Sequence, residues 1–427
     1  MELRQNDTQA LADAVQHQLP ISVFGALRSM EDSTVGTSRA SLFATCSVVG
    51  REHFLAAESR RSRARSDVPS PCGRCSRPDF GGTVYSHSGT FVSVGALADS
   101  VDRVVAETGF SGVVRVDRGD SVVLAKGYGL AHRACKIANT VDCRYAIASG
   151  VKGMTALTIV SLIEEGRLKF DTTVRSVLGT DLPLIDDDVT VEHLLAHRSG
   201  IGDYLDEDAA GDITDYVMRV PVHELASTEQ YIRAVEGFAA KAEPGERFSY
   251  CNGGYVVLAL IAERTTATPF HELVEQRVCA PAAMPDTAFL RSDELPGRTA
   301  IGYLGADGLR TNVLHLPVRG SGDGGIYSTA ADIHAMWAAL FAGRIVGTAW
   351  VAEMLRPRSQ APRQSMRYGL GFWLHESNDA VMLEGFDAGA SFRTVHHPVA
   401  GFTHTVLSNT SLGAWPITRR LDELLMM

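Results

Sequence analysis

The chain has 427 residues, 45% apolar and 21% charged, which allows a sizeable buried core and does not read as a disordered or fibrous protein. A formal charge of -10 argues against a nucleic-acid or anionic-membrane partner, and no apolar run approaches the roughly 18 residues of a bilayer span. Seven cysteines at 46, 72, 75, 135, 143, 251 and 279 form no disulfide framework, and the start Met1-Glu2-Leu3-Arg4 lacks a secretory pattern; a reduced, cytoplasmic protein is expected.

Residues 1–92 differ from the rest and are expected to form an irregular or disordered extension. They hold ten arginines and no lysine, with Arg60, Arg61, Arg63 and Arg65 together, and one weak amphipathic helix is conceivable over 8–19. Cys72-Gly73-Arg74-Cys75 lacks the second pair of a zinc site, so neither metal nor cofactor is expected.

Residues 93–427 are expected to form one domain. Leu97, Val101, Val104 and Val105 have helical spacing over 95–107, stopping at Gly109. Residues 111–116 and 121–125 read as a hairpin around Arg118-Gly119-Asp120. From Ser149 to about 340 the pattern is largely helical. Strand-like runs then cover 368–374, 380–383, 391–396 and 402–407, before a final helix over 416–425. Strands at both ends and helices between predict an α+β sandwich. One antiparallel sheet, built from N- and C-terminal strands and flanked by helices, carries an inserted, mostly helical region.

Three stretches carry chemistry. Ser149 and Lys152 stand three apart where a turn enters the apolar run Met154–Val160, so amine and hydroxyl share a helix face. A serine at that place sits in the positive end of the helix dipole. Alone, an S-x-x-K match is a common accident of exposed helices. The second stretch is Ser249-Tyr250-Cys251-Asn252, leading into a helix expected over 256–264. A phenol needs a nearby cation to serve as a base, which Lys152 would supply, and Asn252 offers a donor and an acceptor. A buried tyrosine beside a capping amide is the plain alternative. The third is Glu384-Gly385-Phe386-Asp387-Ala388-Gly389-Ala390-Ser391-Phe392, where glycine permits close approach to the backbone and the Ala390 amide is a candidate to join that of Ser149 as an oxyanion hole. A turn before an edge strand is the structural alternative.

In this order the stretches resemble the serine β-lactamase and penicillin-binding-protein superfamily, in particular its class C β-lactamase, esterase and D-aminopeptidase branch. Leu194-Leu195-Ala196-His197-Arg198-Ser199-Gly200-Ile201 is similar to that branch's L-L-x-H-x-S-G-[LI] segment. Gly324-Gly325-Ile326-Tyr327-Ser328-Thr329-Ala330-Ala331-Asp332-Ile333 is similar to its G-G-x-x-S-T-A-x-D-[LI] segment. Residues 281–287 resemble its P-L-G-M-x-x-T, with alanine for both leucine and glycine. The resemblance spans roughly residues 95–427.

The resemblance implies a β-lactamase/transpeptidase-like fold and a hydrolase acting through an acyl-enzyme. Ser149 would be the nucleophile and Lys152 and Tyr250 the proton-handling pair, with Tyr250 taking the hydroxyl proton as phenolate or poised by Lys152. Asn252, Asp387, Gly389 and Ala390 would contact substrate, a small-molecule ester or amide. No nucleic acid or membrane span is implied, and the oligomeric state stays open. One departure matters: where the family has Lys or His, a small residue and Gly, this chain has Asp387-Ala388-Gly389. An aspartate there repels the carboxylate of a β-lactam or terminal D-alanine. The expectation is therefore an esterase- or amidase-like enzyme for neutral or cationic acyl donors. The alternatives are a β-lactamase or D-amino-acid peptidase of the same family, or a non-catalytic ligand-binding relative. His197, Arg198, His315, His396, His397 and Cys251 are secondary candidates near the site.

Overall fold

The alternation of apolar residues along the first hairpin decides how the layers stack. In the structure, a computed structural model describing residues 83–85, 91–207, 211–361 and 364–425, Val113 faces one core while Val114 and Val116 face another. The hairpin strands are β1 (Gly112–Arg118) and β2 (Ser121–Tyr128). Before them runs helix α1 (Val94–Thr108), capped by the Ser93 hydroxyl and closed by Gly109 in the left-handed conformation at φ 66°. Most of residues 1–92, with the 8–19 helix, the arginine cluster and the C-x-x-C, lie outside the described residues. Within that stretch Thr83–Tyr85 pairs antiparallel with Phe91–Ser93.

The inserted region holds α2 (Val151–Glu164), α3 (Asn252–Thr266) and α4 (Ala330–Phe341), with shorter helical turns and long irregular connections between them. Helix α2 is buried on every side from Val151 to Ile163, and α3 from Asn252 to Ala262. Helices apolar all round have no water-facing stripe, so they form the centre of the layer.

The chain then returns to the sheet through β3 (Ser359–Ala361), β4 (Met366–Tyr368), β5 (Trp373–His375), β6 (Val381–Asp387), β7 (Ala390–His397) and β8 (Phe402–Ser408). Helix α5 (Ala414–Leu425) follows, starting two residues before the predicted 416. The eight strands pair antiparallel in the order β2-β1-β8-β7-β6-β5-β4-β3. The junction between the chain's two ends is β1 on β8, from Gly112 opposite Ser408 to Arg118 opposite Phe402.

One core lies between this sheet and the helical region, with Val113, Leu383, Phe392 and Leu407 against Val151 and Leu157. The other lies beneath α1 and α5, with Val114, Val406 and Phe402 against Leu97, Val101, Ile417 and Leu421. Each such fully buried aliphatic side chain contributes about 1.5–3 kcal/mol.

Two predicted elements differ. The run 368–374 is two strands, because Gly369-Leu370-Gly371 turns the chain, with Gly371 at φ 85°. The strand predicted over 380–383 continues to Asp387, so the third stretch is the tip of a hairpin between β6 and β7.

Candidate active site

Ser149 lies in the one-turn 3-10 helix Ala148–Gly150 that feeds α2. Ala148 holds φ at 44°, a left-handed conformation that costs a non-glycine residue about 1–2 kcal/mol. Such strain persists where the surroundings over-determine the backbone. Here Ile147 donates its amide to Ile326 O at 3.0 Å, and Tyr145–Ala146 pairs with Tyr327–Ser328. On the other side β6 presses against the turn. A Cβ on Gly385 would lie 2.1 Å from Ile147 O and 2.9 Å from the Ser149 amide nitrogen, so only glycine fits.

Lys152 occupies the second position of α2, 2% exposed. Its Nζ is 2.9 Å from Ser149 Oγ, 2.8 Å from Asn252 Oδ1 and 2.8 Å from the backbone oxygen of Asp323. Asn252 is oriented by donating Nδ2 to Leu205 O at 3.0 Å, which turns its oxygen to the lysine. Burial lowers the Lys152 pKa, against the pull of the Asp323, Glu207 and Asp203 carboxylates. A neutral amine has two hydrogens and one lone pair. Asn252 Oδ1 and Asp323 O can only accept, so they take both hydrogens, and the lone pair is left facing the Ser149 hydroxyl.

Tyr250 precedes α3, whose first residue is Asn252 rather than the predicted Val256. Its ring stacks on Trp373, with centroids 6.0 Å apart and 9° between planes, and lies 4.2 Å from the His197 ring. The Lys152 Nζ stands 5.0 Å from its centroid. Burial and the Glu207 carboxylate raise the phenol's pKa; only a hydrogen bond with Ser149 acts the other way. Of the two expected forms, a phenolate or a phenol poised by Lys152, burial works against the phenolate.

His197 has a structural place. It sits at φ 53°, accepts the Cys251 amide at Nδ1 over 3.1 Å, and its own carbonyl takes the Ser249 amide at 2.8 Å. The Leu194–Ile201 segment is the cradle that aims Tyr250. Burial depresses the His197 pKa, and with Nδ1 accepting, the ring proton is on Nε2.

The third stretch meets the site at two levels. Gly385 touches the Ser149 turn, and Asp387, two residues along the same strand, points to the same side. Asp387 and Ala390 line a cavity that Ala148 also lines. Gly389 forms the hairpin turn at φ 73° and donates its amide to Ser411 Oγ at 2.8 Å. Tyr204, Tyr231, Asn312 and Asp323 also line the cavity, and among the described residues its lining contains no lysine, arginine or histidine. Burial pushes the Asp387 carboxyl up to about 7, helped by the Asp323 charge. Glu207 Oε1, 3.5 Å from Asn252 Nδ2, is likewise pushed to about 7 by burial.

The site therefore brings together Ser149, Lys152, Tyr250 and Asn252, with Asp387 and Ala390 at the adjoining cavity. His396 and His397 stay inside the sheet layers, one stacked on Trp337 and the other on Phe402. His315 lies 3.4 Å from the Arg310 guanidinium. Sequence reasoning missed Asp203, Tyr204, Glu207, Asp323 and Trp373. Asp203 and Tyr204 lie two and three residues past a recognised segment and Asp323 directly precedes another, the only local signals that could have found them.

The family model described as Beta-lactamase matches residues 97–421. A curated relative, the putative penicillin-binding protein PbpX of Bacillus subtilis (strain 168), is 27% identical over 334 residues, 76% of this chain and 78% of its own length. Among solved structures, the penicillin-binding protein from Bacillus halodurans is 31% identical, with 76% of this chain and 100% of that one covered at a TM-score of 0.72. The D-amino acid amidase from Ochrobactrum anthropi SV3, solved with L-phenylalanine amide, shares the fold at a TM-score of 0.64 and 22% identity, covering 77% of this chain and 97% of that one.

Proposed function

From the premise that this chain belongs to the Beta-lactamase family, within the serine β-lactamase and penicillin-binding-protein superfamily, we propose that it is a serine hydrolase acting on small esters or amides through an acyl-enzyme on Ser149. The observation that carries this reading is the amine of Lys152 at 2.9 Å from Ser149 Oγ, with its other two neighbours able only to accept. Lys152 takes the hydroxyl proton as Oγ attacks the acyl carbon. Tyr250, whose burial favours the phenol, passes its proton to the departing alkoxide or amine and regains one from the protonated Lys152. Water then attacks the acyl carbon, giving its proton to Lys152, which returns it to Ser149 Oγ as the acid leaves. The oxyanion rests on the Ser149 amide and on a second amide from the β6–β7 hairpin, for which Ala390 is the candidate.

Two carboxylates and, among the described residues, no cation in the adjoining cavity favour neutral or cationic acyl groups over those bearing a carboxylate. This supports an esterase- or amidase-like activity ahead of β-lactam or terminal D-alanine hydrolysis. The amidase relationship, limited to fold, is compatible with that order. Fluorophosphonate labelling followed by peptide mass spectrometry tests the reading. One adduct on Ser149 is expected, lost in Ser149→Ala, with turnover of neutral aryl esters. A folded protein that takes no label between pH 6 and 10 overturns it.

A further inference from the structure

Lys152 is oriented by two groups that are themselves held from one place. Asn252, its side-chain acceptor, has its backbone amide fixed by Asp203 Oδ2 at 2.6 Å. The same carboxylate takes the Gly253 amide at 2.9 Å through Oδ1, closing the N-terminus of α3. Asp323, whose carbonyl is the backbone acceptor, has its side-chain Oδ2 bonded by the Tyr204 hydroxyl. Leu205 O then receives Asn252 Nδ2. Three consecutive residues thus reach both acceptors of the amine. Asp203 is buried, and the Tyr204 carbonyl is in turn tied down by the Tyr216 hydroxyl.

We propose that Asp203 and Tyr204 are positioning residues that hold the two fixed acceptors of the Lys152 amine, and so aim its lone pair at Ser149. The inference rests on the acyl-enzyme reading above. Neither side chain touches the reacting atoms; each acts through Asn252 or Asp323. Their adjacency gives the arrangement its coupling. A displacement of this loop moves both acceptors at once, and the amine then loses the direction of its free electron pair rather than merely one bond. An amine misaimed by about 1 Å costs on the order of 10²-fold in rate.

The charged and titratable groups facing Lys152 are Asp203 and Glu207 from the loop, Asp323 from the segment before α4, Cys251 beside α3, Tyr255 on α3, and His197 and Tyr250. Burial pushes the Asp203 carboxyl up to about 6, so above that pH Asp203→Asn takes away one anion that favours the ammonium form. The pH at which activity is lost on the acid side therefore moves down. Loss of foldedness alone leaves that pH unchanged.

The test compares wild type, Tyr204→Phe and Asp203→Asn in the full chain, by kcat and KM on a neutral aryl ester, the pH profile of kcat/KM, and active-site titre from fluorophosphonate labelling. Tyr204→Phe is expected to lower kcat about tenfold or more per labelled site with KM held within twofold. Asp203→Asn is expected to lower kcat per labelled site and shift the acid limb down by about half a pH unit or more. Either variant with wild-type kcat per site and an unmoved acid limb overturns the proposal, as does activity lost only in proportion to titre. Absence of label on wild-type Ser149 sinks the underlying reading instead, so the two failures are told apart.

Discussion

Asp387 sets a titratable carboxyl beside the substrate cavity, and a substrate whose charge no pH change can remove tests its effect. Gly385 lies against the Ser149 amide, and Asp387 is two strand residues further, about 7 Å away at about 3.3 Å per residue. A substrate charge seated in the adjoining cavity comes within about 5–7 Å of the carboxylate. At an effective dielectric of about 20 this gives about 2–3 kcal/mol, or roughly 30- to 150-fold in kcat/KM. The probe pair is the p-nitroanilide of trimethylammonioacetic acid and its isostere with a tert-butyl carbon in place of nitrogen. Burial holds the Asp387 carboxyl near 7, so it is ionised above that pH and neutral below. In wild type the cation-to-neutral ratio should climb as pH rises from 6 to 8.5. Asp387→Asn should abolish the climb and lower the ratio at pH 8.5 by about 30-fold or more. A variant with the wild-type ratio and the wild-type pH dependence refutes the placement of this charge beside the substrate.

Gly385→Ala drives a methyl into two backbone atoms, at 2.1 Å from Ile147 O and 2.9 Å from Ser149 N; thermal unfolding should report about 1–3 kcal/mol lost and labelling of Ser149 should slow at least tenfold. Lys152→Arg keeps a cation but offers no lone pair, so steady-state kinetics should show a loss of 10²–10⁴-fold; retention of a tenth of the activity contradicts the base assignment. His397 is fully buried, and burial lowers its pKa to about 3. Below the unfolded value of about 6.5 the unfolded chain binds a proton that the folded one refuses, so this group should cost about 2 kcal/mol between pH 7 and 5, and urea titrations of His397→Phe should lose that increment.

The pairing of Ser149 with Lys152 was legible because three residues of helix bring them together without help from the rest of the chain. Tyr250 and Asn252 were legible only through a resemblance, since their side chains meet Lys152 across a hundred residues. The end-strand sheet followed from where the alternating runs fell. What stayed hidden was register: the hairpin turn is set by Ala388-Gly389, and nothing in the composition said that Gly385, and not Gly389, would touch the serine. Asp203, Tyr204 and Asp323 act through single hydrogen bonds between loops, which leave no periodicity to read. The phenol's high pKa was equally invisible, for it arises from burial and from Glu207, whose nearness depends on a loop path.

The pairing of β1 with β8, residues 296 apart at Gly112 and Ser408, has a consequence for biosynthesis. A ribosome delivers the first hairpin long before its neighbour exists, so β1 waits with one edge bare while nearly the whole polypeptide is made. Contacts this distant in sequence form slowly, and bare edges recruit other chains. A stalled or nicked product lacking β8 would therefore be a candidate for capture by chaperones or for aggregation, and the last strand to emerge acts as the clasp that ends that exposure.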